Sequence, residues 1–116
     1  MNQNKVKFGI IGAMDIEIQN LCSLMKNKKE TEFSHLIFFE GSINGKDCVV
    51  VQSGIGKVNA ARVTQILIDK FDIEAIINIG VAGSANEELN IGDIVIGEKI
   101  VQHDFDITAF GHPKGF

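Results

Sequence analysis

The residues best able to do chemistry gather at three short glycine-bearing stretches: Gly12-Ala13-Met14, Ser53-Gly54-Ile55-Gly56-Lys57 and Gly80-Val81-Ala82-Gly83. Each follows an apolar run, and a glycine there lets the backbone turn sharply or approach a ligand closely, because it has no Cβ. The first stretch leads into Asp15 and Glu17. Acids in the first turn of a helix complement its positive end. None of the stretches is a standard nucleotide fingerprint. Gly9 and Gly12 have the wrong spacing for G-x-G-x-x-G, and a phosphate loop ending at Gly56-Lys57 would need glycine at Val51 and Ser or Thr at Val58. His103, Asp104 and Asp106 are metal-ligating types, but side chains alternate across a strand, so they are not expected to converge on one ion. No metal is expected.

The elements that must position these stretches read as alternating strand and helix. Lys5–Ile11 is a short branched apolar run, expected as a buried strand. Asp15–Lys26 carries Ile16, Ile18, Leu21, Leu24 and Met25 at mostly helical intervals, with lysines in and beyond its last turn. Lys26–Glu32 is expected as a polar connection. His35–Glu40 and Asp47–Gln52 are strands around Asn44-Gly45, a strong hairpin signal. A second helix runs from about Val58 to Phe71 with Val63, Ile66, Leu67 and Phe71 on one face, followed by a strand at Glu74–Ile79. After a polar loop at Ser84–Asn90, two further strands are expected at Asp93–Ile96 and Lys99–His103. This order predicts an α/β fold of three layers, a mostly parallel or mixed central sheet flanked by helices. In such sheets ligands bind beyond the carboxyl ends of the strands, where all three glycine stretches fall.

Composition narrows the classes. At 116 residues the chain fits one small domain, and 45% hydrophobic with 22% charged residues argues against disorder. The net charge is −4 and Arg62 is the sole arginine, so no basic stripe exists for nucleic acid. Apolar runs are too short to span a bilayer. The start of the chain has lysines before an apolar stretch, but Asp15 and Glu17 arrive before a signal core is complete, so it reads as a strand. Cys22 and Cys48 form no C-x-x-C pair and are expected as free thiols in a reducing cytoplasm.

Four segments together carry a family resemblance: Gly9–Ile18 (GIIGAMDIEI), Gln52–Ala61 (QSGIGKVNAA), Ile77–Ile96 (INIGVAGSANEELNIGDIVI) and His103–His112 (HDFDITAFGH). In this order the chain resembles the 5′-methylthioadenosine/S-adenosylhomocysteine nucleosidases, within the purine nucleoside phosphorylase-like fold. The resemblance implies a cytoplasmic homodimer of methionine salvage that hydrolyses those nucleosides to adenine and the thioribose, without a cofactor. In G-A-M-x-x-E, Glu17 matches the glutamate that orders and deprotonates the attacking water, and Met14 matches a residue packing near the sugar. Ile55 matches a residue lining the alkylthio pocket, while Lys57 matches nothing catalytic. Val81, Ala82 and Gly83 match the segment passing along adenine and sugar, although Val81 stands where many relatives carry Ser or Thr. Ile107 and Phe110 match residues that close the partner subunit's pocket; without the resemblance they read as an apolar loop packing at home.

The family's second half carries a V-E-M-E stretch that grips the ribose hydroxyls and an S-D whose aspartate protonates adenine N7. Neither motif occurs in these 116 residues. The resemblance therefore implies the N-terminal part of a single nucleosidase domain, inactive by itself. Two alternatives stay open: a same-fold phosphorylase, and a non-catalytic dimerisation or binding module. Phosphorolysis calls for cations to hold phosphate, whereas the first loop offers acids.

Overall fold

The computed structural model describes residues 6–115, so Lys5, where the first strand was expected to begin, lies outside the described residues. The chain forms two compact units, Met1–Ala82 and Gly83–Phe116.

The first unit is built on a five-stranded sheet. In chain order its elements are β1 (Phe8–Gly12), α1 (Asp15–Leu24), β2 (Lys26–Phe33), β3 (Leu36–Ile43), β4 (Lys46–Gln52), α2 (Lys57–Phe71) and β5 (Ala75–Ile79). The strands lie side by side as β2-β3-β4-β1-β5. β1 pairs in parallel with both β4 and β5, while β3 is antiparallel to β2 and β4. Alternation along β1 and β4 divides the core in two. Ile10, Cys48 and Val50 pack with Ile18 and Met25 on the α1 side. Ile11, Val49 and Val51 pack with Phe38, Val63, Leu67 and Phe71 on the α2 side. A helix thus covers each face, which gives the expected three layers. Seven large side chains here are essentially fully buried, each contributing about 1.5–3 kcal/mol of transfer free energy. The Phe38 and Phe71 rings add a tilted contact at 4.7 Å between centroids.

Three expectations in this unit need correction. Lys26–Glu32 is a strand, not a connection, and α1 stops at Leu24 before the lysines begin. β2 is an edge strand with nearly all its side chains exposed, so no apolar alternation marks it, and lysines are common on such edges. Its pairing is fixed instead by a tight turn at Ser34 and His35, with φ of 54° and 63°. A two-residue hairpin turn of that hand needs positive φ at both positions. His35 consequently belongs to the turn, and β3 begins at Leu36. The β3–β4 hairpin turns at Asn44-Gly45, as expected, with φ of 51° and 75°.

The second unit holds one regular element among its described residues, a 3₁₀ turn at Thr108–Phe110. The strands expected at Asp93–Ile96 and Lys99–His103 do not form. Their branched residues suit a strand, but a strand exists only with a ladder partner, and none pairs with them among the described residues. Ile94, Ile96 and Ile100 stay 88–92% exposed. Local polar contacts organise this unit. The Asn90 N–H donates to the Asp93 carboxylate at 2.8 Å, the Thr108 N–H to Asp106 at 3.0 Å, and the Gly115 N–H to the Phe105 carbonyl at 2.8 Å. Among the described residues, no helix is long and apolar enough to cross a membrane.

Candidate functional site

Parallel pairing brings three strand ends into line: Gly12 is in register with Gln52 on one side and Ile79 on the other. The three glycine stretches therefore leave the same edge of the sheet. Two backbone bonds join the first pair, from the Ser53 N–H to the Gly12 carbonyl at 2.9 Å and from the Gly54 N–H to the Ala13 carbonyl at 3.1 Å. Ser53 is buried; its hydroxyl donates to the Gly54 carbonyl at 2.8 Å and lies 3.5 Å from that of Gly12. A small hydrogen-bonding residue is what this tight junction admits.

Glu17 sits in the first turn of α1, half-buried. Its carboxylate bends back, and Oε2 accepts the Met14 N–H at 2.9 Å. That N–H is one of the helix-start donors with no partner inside the helix. Oε1 faces the end of β5, 3.2 Å from where a Cβ on Gly80 would stand. One oxygen is thus anchored on backbone while the other hangs over the strand ends. The carboxylate both helps cap α1 and is aimed by doing so.

Apolar side chains surround this edge without enclosing it. Met14 is 37%, Ile55 74% and Val81 84% exposed, and Ala82 is exposed too. The loop bearing Ile55 is held by the Asn59 side chain, which donates to the Ile55 carbonyl at 2.8 Å. Gly54 and Gly56, with φ of 84° and 102°, supply backbone conformations that other residues rarely adopt. Gly83, Ile107 and Phe110 belong to the second unit, where Ile107 is half-buried and Phe110 82% exposed, joined by a bond from the Phe110 N–H to the Ile107 carbonyl at 2.9 Å. The sequence placed Ser53 and Gly80 in the glycine stretches without marking what either does there, and it did not single out Asn59. S-G-I-G-K and the glycine closing β5 were visible signals, but their partners lie far away in sequence.

Other chemistries find little support. Burial pushes both the Cys22 and Cys48 thiols up, which disfavours the nucleophilic thiolate. Arg62 reaches across to the β2–β3 turn, donating to the Ser34 carbonyl and to its hydroxyl. A cavity of about 410 Å³ is lined by Lys7, Asn27, Lys29, Glu40 and Asp47, and another of about 240 Å³ by Phe8, Ile10, Leu21, Ile43 and Ile77. Glu17, Met14, Ile55 and Val81 line neither of these cavities.

The profile of the Phosphorylase superfamily matches residues 7–115. The chain belongs to this superfamily. Among its relatives, the 5′-methylthioadenosine/S-adenosylhomocysteine nucleosidase of Actinobacillus succinogenes is 46% identical over 110 residues, 95% of this chain and 48% of that protein. The crystal structure of a 5′-methylthioadenosine/S-adenosylhomocysteine nucleosidase from Colwellia psychrerythraea, in complex with adenine, superimposes with a TM-score of 0.93. It shares 44% identity and covers 97% of this chain and 47% of that one. An S-adenosylhomocysteine nucleosidase from Streptococcus pyogenes, in complex with 5-methylthiotubericidin, gives 0.95 at 36% identity, covering all of this chain and 49% of that one. The chain spans about half the length of the curated relatives it matches.

Proposed function

We propose that this chain supplies the water-activating side of an active site that hydrolyses the N-glycosidic bond of 5′-methylthioadenosine and S-adenosylhomocysteine. Glu17 carries the reading: an anchored carboxylate with one oxygen free at the carboxyl edge of the sheet. Such an oxygen can take a proton from a water as the water's oxygen bonds to C1′ of the sugar. The electrons of the breaking C1′–N9 bond leave with adenine, whose proton comes from an acid outside this chain. Met14, Ile55, Val81, Ala82 and Gly83 are the residues proposed along the sugar, alkylthio group and base. Val81 brings no hydroxyl, which leaves more of the holding of water to Glu17. The chain is then the N-terminal part of a longer nucleosidase domain, working in the cytoplasm without a cofactor.

Hydrolysis is favoured over phosphorolysis because the sole arginine is engaged at the β2–β3 turn and the loop after β1 presents a carboxylate. The test is Glu17→Gln in the full-length protein, followed by adenine release from methylthioadenosine. Gln keeps the size but cannot take the proton, so the rate should fall about 10²–10⁴-fold with binding of a substrate analogue retained. Wild-type turnover in that variant would return Glu17 to a purely capping role.

Exposed Phe110, beside Ile107, is proposed to close the pocket of a two-fold partner. In an isologous dimer each subunit returns such a contact. Full-length Phe110→Ala and Glu17→Gln, each impaired alone, should regain activity when their subunits are exchanged, because one pocket of the mixed dimer is intact. No recovery despite confirmed exchange would place the loop in its own subunit's site.

A further inference from the structure

Glycines in the first unit are kept for different reasons, and the atoms a Cβ would meet tell them apart. At Gly9 it would strike Ile76, Ile73 and Leu67, and at Gly41 Met25 and the Lys26 backbone, so both are packing glycines. At Gly12 it would come within 2.6 Å of Ile18 Cγ2 and 3.1 Å of Glu17 Cβ, which lets the first turn of α1 settle against the end of β1. Gly54 and Gly56 are required by positive φ. Gly80 fits none of these classes. Its φ lies outside the left-handed region, so the backbone does not demand glycine. Among the described residues, a Cβ there would meet Glu17 alone, at 3.2 Å from Oε1 and 3.7 Å from Cδ.

We infer that Gly80 is a positioning residue for Glu17: the missing side chain at the end of β5 leaves the space into which the free carboxylate oxygen projects. This rests on the reading of Glu17 as the group that activates water. The Met14 N–H fixes Oε2 from one side, and the bare strand end admits Oε1 from the other. A methyl at residue 80 would make a contact tighter than ordinary van der Waals packing, so the carboxylate must shift by a few tenths of an ångström. Displacements of about 1 Å at a reacting centre can cost about 100-fold in rate, so the smaller shift should cost about tenfold. Substrate binding, spread over other residues, should change little.

The experiment compares Gly80→Ala, Glu17→Gln, Glu17→Asp and the double variant Gly80→Ala with Glu17→Asp in the full-length protein. It measures kcat and KM for adenine release from methylthioadenosine, thermal melting, and the pH-dependent displacement of the Met14 amide resonance, which reports the carboxylate bonded to it. For Gly80→Ala we expect kcat down about tenfold, KM within about twofold, unchanged melting and a weakened Met14 response. The shorter aspartate withdraws from the new methyl, so Glu17→Asp should cost less in the Gly80→Ala background than in the wild type. A merely structural role would not produce that rescue. Wild-type kcat in Gly80→Ala, or strictly additive effects in the double variant, with Glu17→Gln inactive, would overturn the inference and leave the water-activation reading standing. Full turnover in Glu17→Gln would remove that reading instead. The Met14 amide then decides placement alone: an unchanged response in Gly80→Ala overturns the inference, and a weakened one upholds it.

Discussion

The two units use similar residues to different ends. Val49, Val50 and Val51 of β4 and the run Ile91, Ile94, Val95, Ile96 of the second unit are both branched and apolar, the type that fits a pleated surface. The β4 run is flanked by β1 and β3, covered by a helix on each face and fully buried. Within Gly83–Phe116 the same residue types form no ladder and remain 65–108% exposed. Branched residues confer strand structure where a neighbouring strand satisfies the backbone, and little otherwise. The first unit is organised by non-local pairing and the second by bonds spanning a few residues, such as Asn90 to Asp93 and Asp106 to Thr108.

The sharpest test of that difference lies in the core of the first unit. Leu67 is fully buried beneath the sheet, so Leu67→Ala should destabilise the first unit by about 2–5 kcal/mol in urea unfolding. A loss under about 1 kcal/mol, the range of an accommodated swap, would mean this core is far looser than its packing indicates. The matching change in the second unit is Ile94→Ser. With Ile94 92% exposed, its effect on the same transition should stay within about 0.5 kcal/mol. A penalty like that of Leu67→Ala would break the comparison and show that the segment is buried in solution.

The smallest effect concerns the 3₁₀ turn. The Thr108 backbone N–H, and then its hydroxyl, hold the Asp106 carboxyl below the usual carboxylate range. A depressed folded value means the turn is supported at and above the ordinary aspartate range, near pH 3.9, and loses that support as pH falls through the lower folded value. The Thr108 amide resonance should therefore hold still above about pH 4 and move only on further acidification. Asp106→Asn should abolish that movement. A midpoint at or above the ordinary range would show that this bond does not form.

Much of the first unit was legible because its signals are local. Short branched apolar runs marked β1, β4 and β5, a 3.6-residue pattern marked α2, and Asn44-Gly45 announced its hairpin. Glu17 stood out through the resemblance carried by G-A-M-x-x-E; by placement alone it read as a first-turn acid complementing the helix. β2 was not, because an exposed edge strand carries no apolar period and is recruited by its neighbour and a tight turn. The strands expected in the second unit failed for the converse reason: the pattern was present and the partner was not.

By itself, then, the sequence determined that β1, β3, β4 and β5 are strands and α1 and α2 helices, that β1 and β4 are apolar on both faces, and that acids and glycines follow the strands. Each follows from chain geometry within a few residues, where side-chain period and backbone freedom act directly. Only the tertiary structure decided that Gly12, Gln52 and Ile79 end side by side, that Ser53 ties two loops together, and that Glu17 rests on the Met14 N–H over Gly80. Those facts depend on the parallel register of strands separated by tens of residues, which arises from burial of both sheet faces and from no local preference.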